Sequence, residues 1–369
     1  MRLASFNLEN IFDRAKAFNQ DTMAEGKVIL DAFARLNKLF GKPTYSAADK
    51  NAILKGLKDL GVLKDDNAGP FVRLRQNRGK LLKRPQTGPV EVVANGRGDW
   101  IGWLELKTER VNEIATQNTG QVVRDVAADV VGTIEVDNRI ALLRFNEQTL
   151  PSVNAEPYPH VMLIDGNDDR GIDVGVMSRF PLGTMRSHVD DLQDGSRIFS
   201  RDCPEFEIAL PSGNTLLVLV NHLKSKGFGT QADSNARRRR QAERVRAIYD
   251  ARRQAGVTRI AVIGDFNDTP DSTPLAPLLA NSSDLRDVSL HQNFHGDGRP
   301  GTFGNGTASQ KIDYILLSPE LFAQVTNAGV FRKGVWGGVN GTLFPHFPEM
   351  TKAIHAASDH AALFVDLDI

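Results

Sequence analysis

Cysteine is almost absent. Cys203 stands alone among 369 residues, so the chain can form no internal disulfide and no cysteine-based zinc site. Any metal must be held by oxygen, with histidine as the further donor. Long apolar runs are missing too. No segment approaches the roughly 20 apolar residues of a membrane-spanning helix. The opening "MRLASFNLEN" lacks the apolar core of a secretory signal, which leads us to expect a cytoplasmic protein. The third absence is an excess of one charge. Basic and acidic residues both number 45, so no overall field announces a nucleic-acid partner, although a local patch can still do so. With 41% hydrophobic and 24% charged residues, the chain has enough apolar side chains for a sizeable core.

What is present is a long series of strand-like segments. "RLASFNLENIF" opens the chain, and "ADVVGTIEV", "GIDVGVMSR", "EFEIAL", "TLLVLVNHLKS", "RIAVIGDF", "KIDYILLS" and "AALFVDLDI" follow. Helical spacing marks "TMAEGKVILDAFARLNKLF" and "SAADKNAILKGLKDLGVL", the second with Ser46 as its expected N-cap, and later "NEIATQNTGQVVRDV", "RIALLRFNEQTL" and "DSNARRRRQAERVRAIYDARRQAG". Strands outnumber helices and rarely alternate with them strictly, which favours stacked sheets with helices outside.

Polar residues collect where these strands end. In "VIGDFNDTP" an apolar run stops at Asp265 and Asn267, and period-two alternation predicts that the two side chains project together. An Asx turn explains the same residues without chemistry. Asn7 and Glu9 close "FNLEN", Glu135 closes "TIEV", and Arg170 and Asp173 occupy "DDRGIDV". His222 and Lys224 sit in "VNHLKS", Asp313 in "KIDYIL", and Asp359 with His360 in "SDHAAL". Each alone reads as strand-end solvation. Their joint occurrence points to one polar site.

These segments, "SFNLEN", "TIEVDN", "RGIDVGVMSR", "VNHLKSK", "VIGDFNDTP", "KIDYILLS" and "SDHAALFVDL", resemble in content and order the endonuclease/exonuclease/phosphatase superfamily of DNase I-like enzymes. "GDFN" alone is weak; followed by "IDYIL" and a terminal "SDH" it is specific. The resemblance implies an α/β protein of the α+β type, a four-layer α/β/β/α sandwich of two packed mixed sheets flanked by helices. It also implies a divalent cation, Mg²⁺ or Mn²⁺, bound through Glu135 and surrounded by Asn7, Glu9 and Asp359. By the same resemblance His360 is the essential histidine held by Asp313, Asp265 and Asn267 orient water and a phosphate oxygen, and His222 contacts phosphate. Arg170 and Lys224 are expected to bind substrate, Arg170 at a position where relatives carry a tyrosine. Arginine's planar fork suits phosphate oxygens. Asp265 and His360 both remain open as the general base.

The whole chain, 1–369, reads as one such domain with a family-atypical insertion at about 14–110, far longer than an ordinary connection. Within it "FVRLRQNRGKLLKR" carries six basic and no acidic residues, and Trp100 and Trp103 follow. Basic side chains beside aromatics suit a nucleic-acid strand, and suit equally a solvated hairpin over two core tryptophans. The arginine-rich helix also has two readings, a charged outer face, or one of Arg237 and Arg238 turned toward the cleft. The expected activity is a metal-dependent phosphodiesterase, a nuclease hydrolysing nucleic acid, with DNA favoured. The alternative is a phosphomonoesterase for a phosphorylated small molecule such as an inositol phosphate or nucleotide.

Overall fold

"VVGTIEV" and "IAVIGD" are apolar on both faces, as strands in the middle of covered sheets must be. In the computed structural model, which describes every residue except 12, 19–22, 111, 169–170, 228–229 and 281, each lies in the interior of its own sheet, paired along both edges. The first sheet has seven strands in the order Phe294–His295, Val325–Phe331, Ala362–Leu367, Arg2–Ile11, Val130–Val136, Asp173–Ser178 and His160–Ile164. The second has six: Leu182–Arg186, Glu205–Ala209, Thr215–His222, Ile260–Asp265, Asp313–Leu317 and Arg286–Asp287.

Each sheet has a parallel pair near its middle with an antiparallel strand on either side, and the seven-stranded sheet adds a second parallel pair at its edge, Phe294–His295 with Val325–Phe331. Arg2–Ile11 runs parallel to Val130–Val136, and Thr215–His222 parallel to Ile260–Asp265. Parallel neighbours need a long crossover, supplied in the second sheet by the helix Gln231–Gln254. The C-terminal ends of the parallel strands therefore lie beside the N-terminal starts of their antiparallel partners, as where Asp265 pairs with Asp313.

Leu3, Val130, Ile134 and Val365 of one sheet pack against Val218, Val220, Ile263 and Ile315 of the other. The outer face of the seven-stranded sheet is covered by Val122, Val123 and Val126 of the helix Glu113–Val126 and by Leu142 of Arg139–Arg144. The outer face of the six-stranded sheet is covered by Ala242, Val245, Ile248 and Tyr249 of Gln231–Gln254. The result is the four-layer sandwich. Five of its strands carry no pattern that the sequence reading predicts: His160–Ile164, Leu182–Arg186, Arg286–Asp287, Phe294–His295 and Val325–Phe331.

Residues Asp13–Arg110 form a compact unit of their own, and Met1–Phe12 with Val111–Ile369 form the sandwich. In the smaller unit Ser46 caps the helix Ala47–Asp59 in a capping box with Asp49. The ribbon of Val72–Arg78 and Ile101–Leu106 carries the basic segment. Half of that segment's cations are already paired: Arg73 and Arg75 with Glu105, Arg84 with Asp66. Trp100 is a core residue, 1% exposed, edge-on to Phe40 at 5.1 Å and donating to the Tyr45 hydroxyl at 2.9 Å. The solvated-hairpin reading thus holds for Trp100 and not for Trp103, which is 42% exposed.

Candidate active site

The inner faces of the two sheets are largely apolar until their last row, with Ser5 a buried exception. Leu216, Val218 and Val220 point into the core, so alternation carries His222 to the same face. Ala261 and Ile263 do the same for Asp265, and Ile315 and Leu317 for Asp313. From the facing sheet, alternation from Leu3 carries Asn7 inward, and its Nδ2 comes 3.4 Å from Asp265 Oδ2. Asn7, His222, Asp265 and Asp313, four of the residues that the sequence marked, thus meet where the inter-sheet core runs out.

Glu135 reaches this row differently. Ile134 lies in the inter-sheet core, while Val131 and Val136 lie on the helix-covered face, so the alternation slips at Glu135. The residue sits at φ 59° beside a register shift, a bulge that turns its side chain. Its Oε1 comes 3.6 Å from His222 Nε2, on the opposite sheet. Glu9 and Asn267 also have positive φ, 55° and 56°. Left-handed backbone is costly for residues other than glycine, by roughly 1–3 kcal/mol each, and three instances around one cleft are the pattern of a preorganised site.

The expectation that Asp265 and Asn267 project together as strand neighbours does not hold. The strand ends at Asp265, and the Asn267 N–H donates to Asp265 Oδ1 at 2.8 Å, closing an Asx turn. Its side-chain amide donates to the Leu223 carbonyl at 3.1 Å, tying this turn to the loop after His222. Gly264 permits the close approach of the two strands: at φ 133°, a Cβ there would lie 1.9 Å from the Asn221 carbonyl oxygen.

His360 Nδ1 lies 2.8 Å from Asp313 Oδ2, with both residues buried. The same carboxylate oxygen accepts from Thr302 Oγ1 at 2.5 Å, and the Asp313 N–H donates back to that hydroxyl at 3.1 Å. Phe303 packs on the imidazole with ring centroids 4.9 Å apart. His360 Nε2 faces Asp359 Oδ1 at 3.7 Å and Asp265 Oδ2 at 3.9 Å. Burial disfavours charge on the ring, but Asp313, Asp359 and Asp265 outweigh it and hold the imidazole well above its usual pKa. For Asp265, burial and then the Asp313 charge push the carboxyl upward, against the opposing pull of His360.

Ligand atoms of Glu135, His222 and Asp265 lie within 4.8 Å of one another, as do those of Asp265, Asp313 and His360. These oxygen-rich sets match the donors a hard divalent cation prefers. Glu135 and Asp359 are also the open side of the site, 22% and 37% exposed, whereas Asp265 and Asp313 are sealed beneath them. Glu9 Oε2 accepts from the Asp359 N–H at 3.2 Å.

Arg170 lies outside the described residues. The Lys224 ammonium donates to the Ser225 carbonyl at 3.1 Å, and the Lys224 backbone N–H donates to Gln241 Oε1 at 2.7 Å. Arg238 is fully buried and pairs with Asp268 at 2.7 Å, so it anchors the helix rather than lining a cleft. Thr302 and Phe303 are the residues that sequence reading missed. They fall in a glycine-rich turn with no strand pattern, and only their pairing across to His360 and Ala361 reveals them.

A double-sheet sandwich with acidic and imidazole groups gathered at the ends of its central strands defines the class of DNase I-like phosphoesterases. The chain belongs to the Endonuclease/Exonuclease/phosphatase family, which it matches over residues 111–360, a family of metal-dependent phosphoric-ester hydrolases. That match begins beyond Asn7 and Glu9, which join the site through the pairing of Arg2–Ile11 with Val130–Val136. No curated protein matches the sequence. Among solved structures, a mannosyl-6-phosphatase from Bacteroides thetaiotaomicron is 17% identical, covering 69% of this chain and 91% of that one, at TM-score 0.49. The catalytic domain of human Nocturnin with bound sulfate is 18% identical over 70% and 87%, at 0.48. Truncated TDP2 of Caenorhabditis elegans is 12% identical over 69% and 89%, at 0.46. No helix among the described residues is long and apolar enough to cross a membrane.

Proposed function

We propose that the protein is a phosphodiesterase that cleaves nucleic acid, with DNA favoured, by in-line attack of water. The observation that carries the hydrolytic reading is the convergence of the Asp313–His360 pair and the Glu135, His222 and Asp265 donors on one row. Glu135, flanked by Asn7, Glu9 and Asp359, would hold Mg²⁺ or Mn²⁺. When bound, that cation polarises a phosphoryl oxygen and neutralises charge on the leaving oxygen.

His360, kept protonated by the carboxylates around it, donates Nε2–H to a phosphoryl oxygen, and Asp313 fixes the ring orientation through Nδ1. A charged imidazole has no lone pair for a proton, so the group left on this row to take the proton from the attacking water is Asp265, whose Oδ2 lies 3.9 Å from His360 Nε2. Asn267 and His222 would border the phosphate, and Lys224 is assigned to substrate; the same assignment of Arg170 rests on the resemblance alone.

The choice of a polyanion over a small phosphoester rests on charge. Of the chain's 45 basic and 45 acidic residues, positions 13–110 hold 19 and 12, leaving 26 and 33 elsewhere. The overall neutrality conceals one unit of net +7 and another of net −7. A small substrate gains little from a separate cationic unit, whereas a polynucleotide gains one ionic contact per phosphate. The test is product analysis with Mg²⁺ or Mn²⁺ on single- and double-stranded DNA, RNA, abasic duplex and phosphomonoesters. Cleavage of the polynucleotides is expected. Turnover confined to phosphomonoesters overturns the reading.

A further inference from the structure

We propose that the outward face of the ribbon Val72–Arg78 and Ile101–Leu106 is a binding site for single-stranded nucleic acid, with Trp103 as its stacking platform. The inference deepens the nuclease reading and rests on it. It concerns a surface outside the family match.

Alternation divides the ribbon into two faces. Val72, Leu74, Leu104 and Leu106 are buried on one. The other bears Arg73 opposite Glu105 and Arg75 opposite Trp103, and a register shift between Gln76 and Arg78 brings Arg78, which alternation alone would place with Val72, opposite Ile101. Ile101 and Trp103, 45% and 42% exposed, therefore share a solvent face with three arginines. The core does not need Trp103, because Trp100 already fills the interior against Phe40. Gly102, between Trp103 and Ile101, fixes the close approach: a Cβ there would fall 2.0 Å from the Arg75 carbonyl oxygen and 2.3 Å from the Trp100 ring.

Glu105 draws Arg73 and Arg75 together beside the indole, the Arg73 contact being 2.9 Å. Three guanidinium groups against one carboxylate leave the face positive. Arg78 and Lys80 continue the charge at its exposed end. An indole flanked by cations meets two needs of a single strand at once, a surface on which a base stacks and charges that follow the phosphates. Duplex DNA hides its base faces and offers only the second.

The test uses the full-length protein in EDTA, so that binding is read without hydrolysis. Fluorescein-labelled oligothymidylate and oligouridylate of about 15 nucleotides, the corresponding DNA duplex, and heparin as a polyanion without bases are titrated by anisotropy. Single strands are expected to bind more tightly than duplex. Trp103→Ala should weaken both single strands by roughly tenfold or more, and Trp103→Phe should retain most of the affinity. Heparin binding should not distinguish these variants, and the two oligonucleotides separate DNA from RNA as the natural ligand. Replacing Arg78 and Lys80 by alanine should flatten the salt dependence by a slope of about 0.7 per lost contact. Trp103→Ala binding single strands as wild type does, with unchanged thermal stability, overturns the proposal. Hydrolysis of bis-p-nitrophenyl phosphate with Mn²⁺ reports the catalytic reading separately, so that failure of either one is visible without the other.

Discussion

Asp313 and His360 are joined by a 2.8 Å contact in which imidazole Nδ1–H donates to a carboxylate oxygen, beneath the open side of the cleft. A buried pair of this kind orients the ring and favours its charged form. His360→Ala and Asp313→Asn should each lower kcat by roughly 10²–10⁴ with a smaller change in KM. Because the two act as a unit, the double variant should be little worse than His360→Ala alone. Full additivity in steady-state kinetics would place Asp313 outside the unit.

Thr302 shares the same Asp313 oxygen and acts through it. Thr302→Val keeps the shape and removes the hydroxyl, leaving Asp313 with the imidazole as its remaining side-chain donor at that oxygen. An effect of about 10–100-fold on kcat is expected by analogy with outer-shell partners of catalytic histidines. Thr302→Ser should recover most of it. A loss in KM alone would indicate a merely structural role.

Glu135 is the donor closest to solvent in the cluster with His222 and Asp265. Glu135→Gln should fold normally and lose hydrolysis on the order of a hundredfold at low Mg²⁺, partly restored by high Mn²⁺. Cation binding offers a second readout. The rise in Tm on adding Mn²⁺ should shrink in the variant. Wild-type activity at low Mg²⁺ would remove Glu135 from the cation site.

A pH effect is expected away from the cleft. Glu205 is wholly buried; burial would raise its carboxyl, but hydrogen bonds from Arg252 and His188 overcome this and hold it at about 2. Its folded pKa is below the unfolded value of 4.5, so its contribution is complete above 4.5 and disappears as pH falls toward 2. His188 is shifted the other way: burial lowers it, but Glu205 and Asp191 outweigh that and raise it. Its contribution is present below its unfolded value and is lost as pH rises through the folded one. Urea unfolding should show wild-type stability falling by about 2 kcal/mol from pH 5 to pH 2 through this group. A Glu205→Gln variant should lack that part of the acid limb.

The sequence by itself determined the long central strands, their apolar faces and the places where those faces turn polar, but not the edge strands such as His160–Ile164 and Phe294–His295. Period-two alternation from Val218, Ile263 and Ile315 is enough to send His222, Asp265 and Asp313 to a common face, since backbone geometry leaves a strand no other choice. The tertiary structure decided what local periodicity cannot carry. Glu135 enters the site only because a bulge with left-handed backbone reverses its phase, and Asn267 leaves the strand through an Asx turn. Thr302 and Phe303 belong to the site only because their turn bridges to the segment bearing His360. Trp100 and Trp103, three residues apart, differ in fate because one falls on the packed side of its unit and the other opposite Arg75 on the solvent face. Each of these depends on contacts between residues distant in the chain, and the free energy that fixes them comes from packing rather than from local preference.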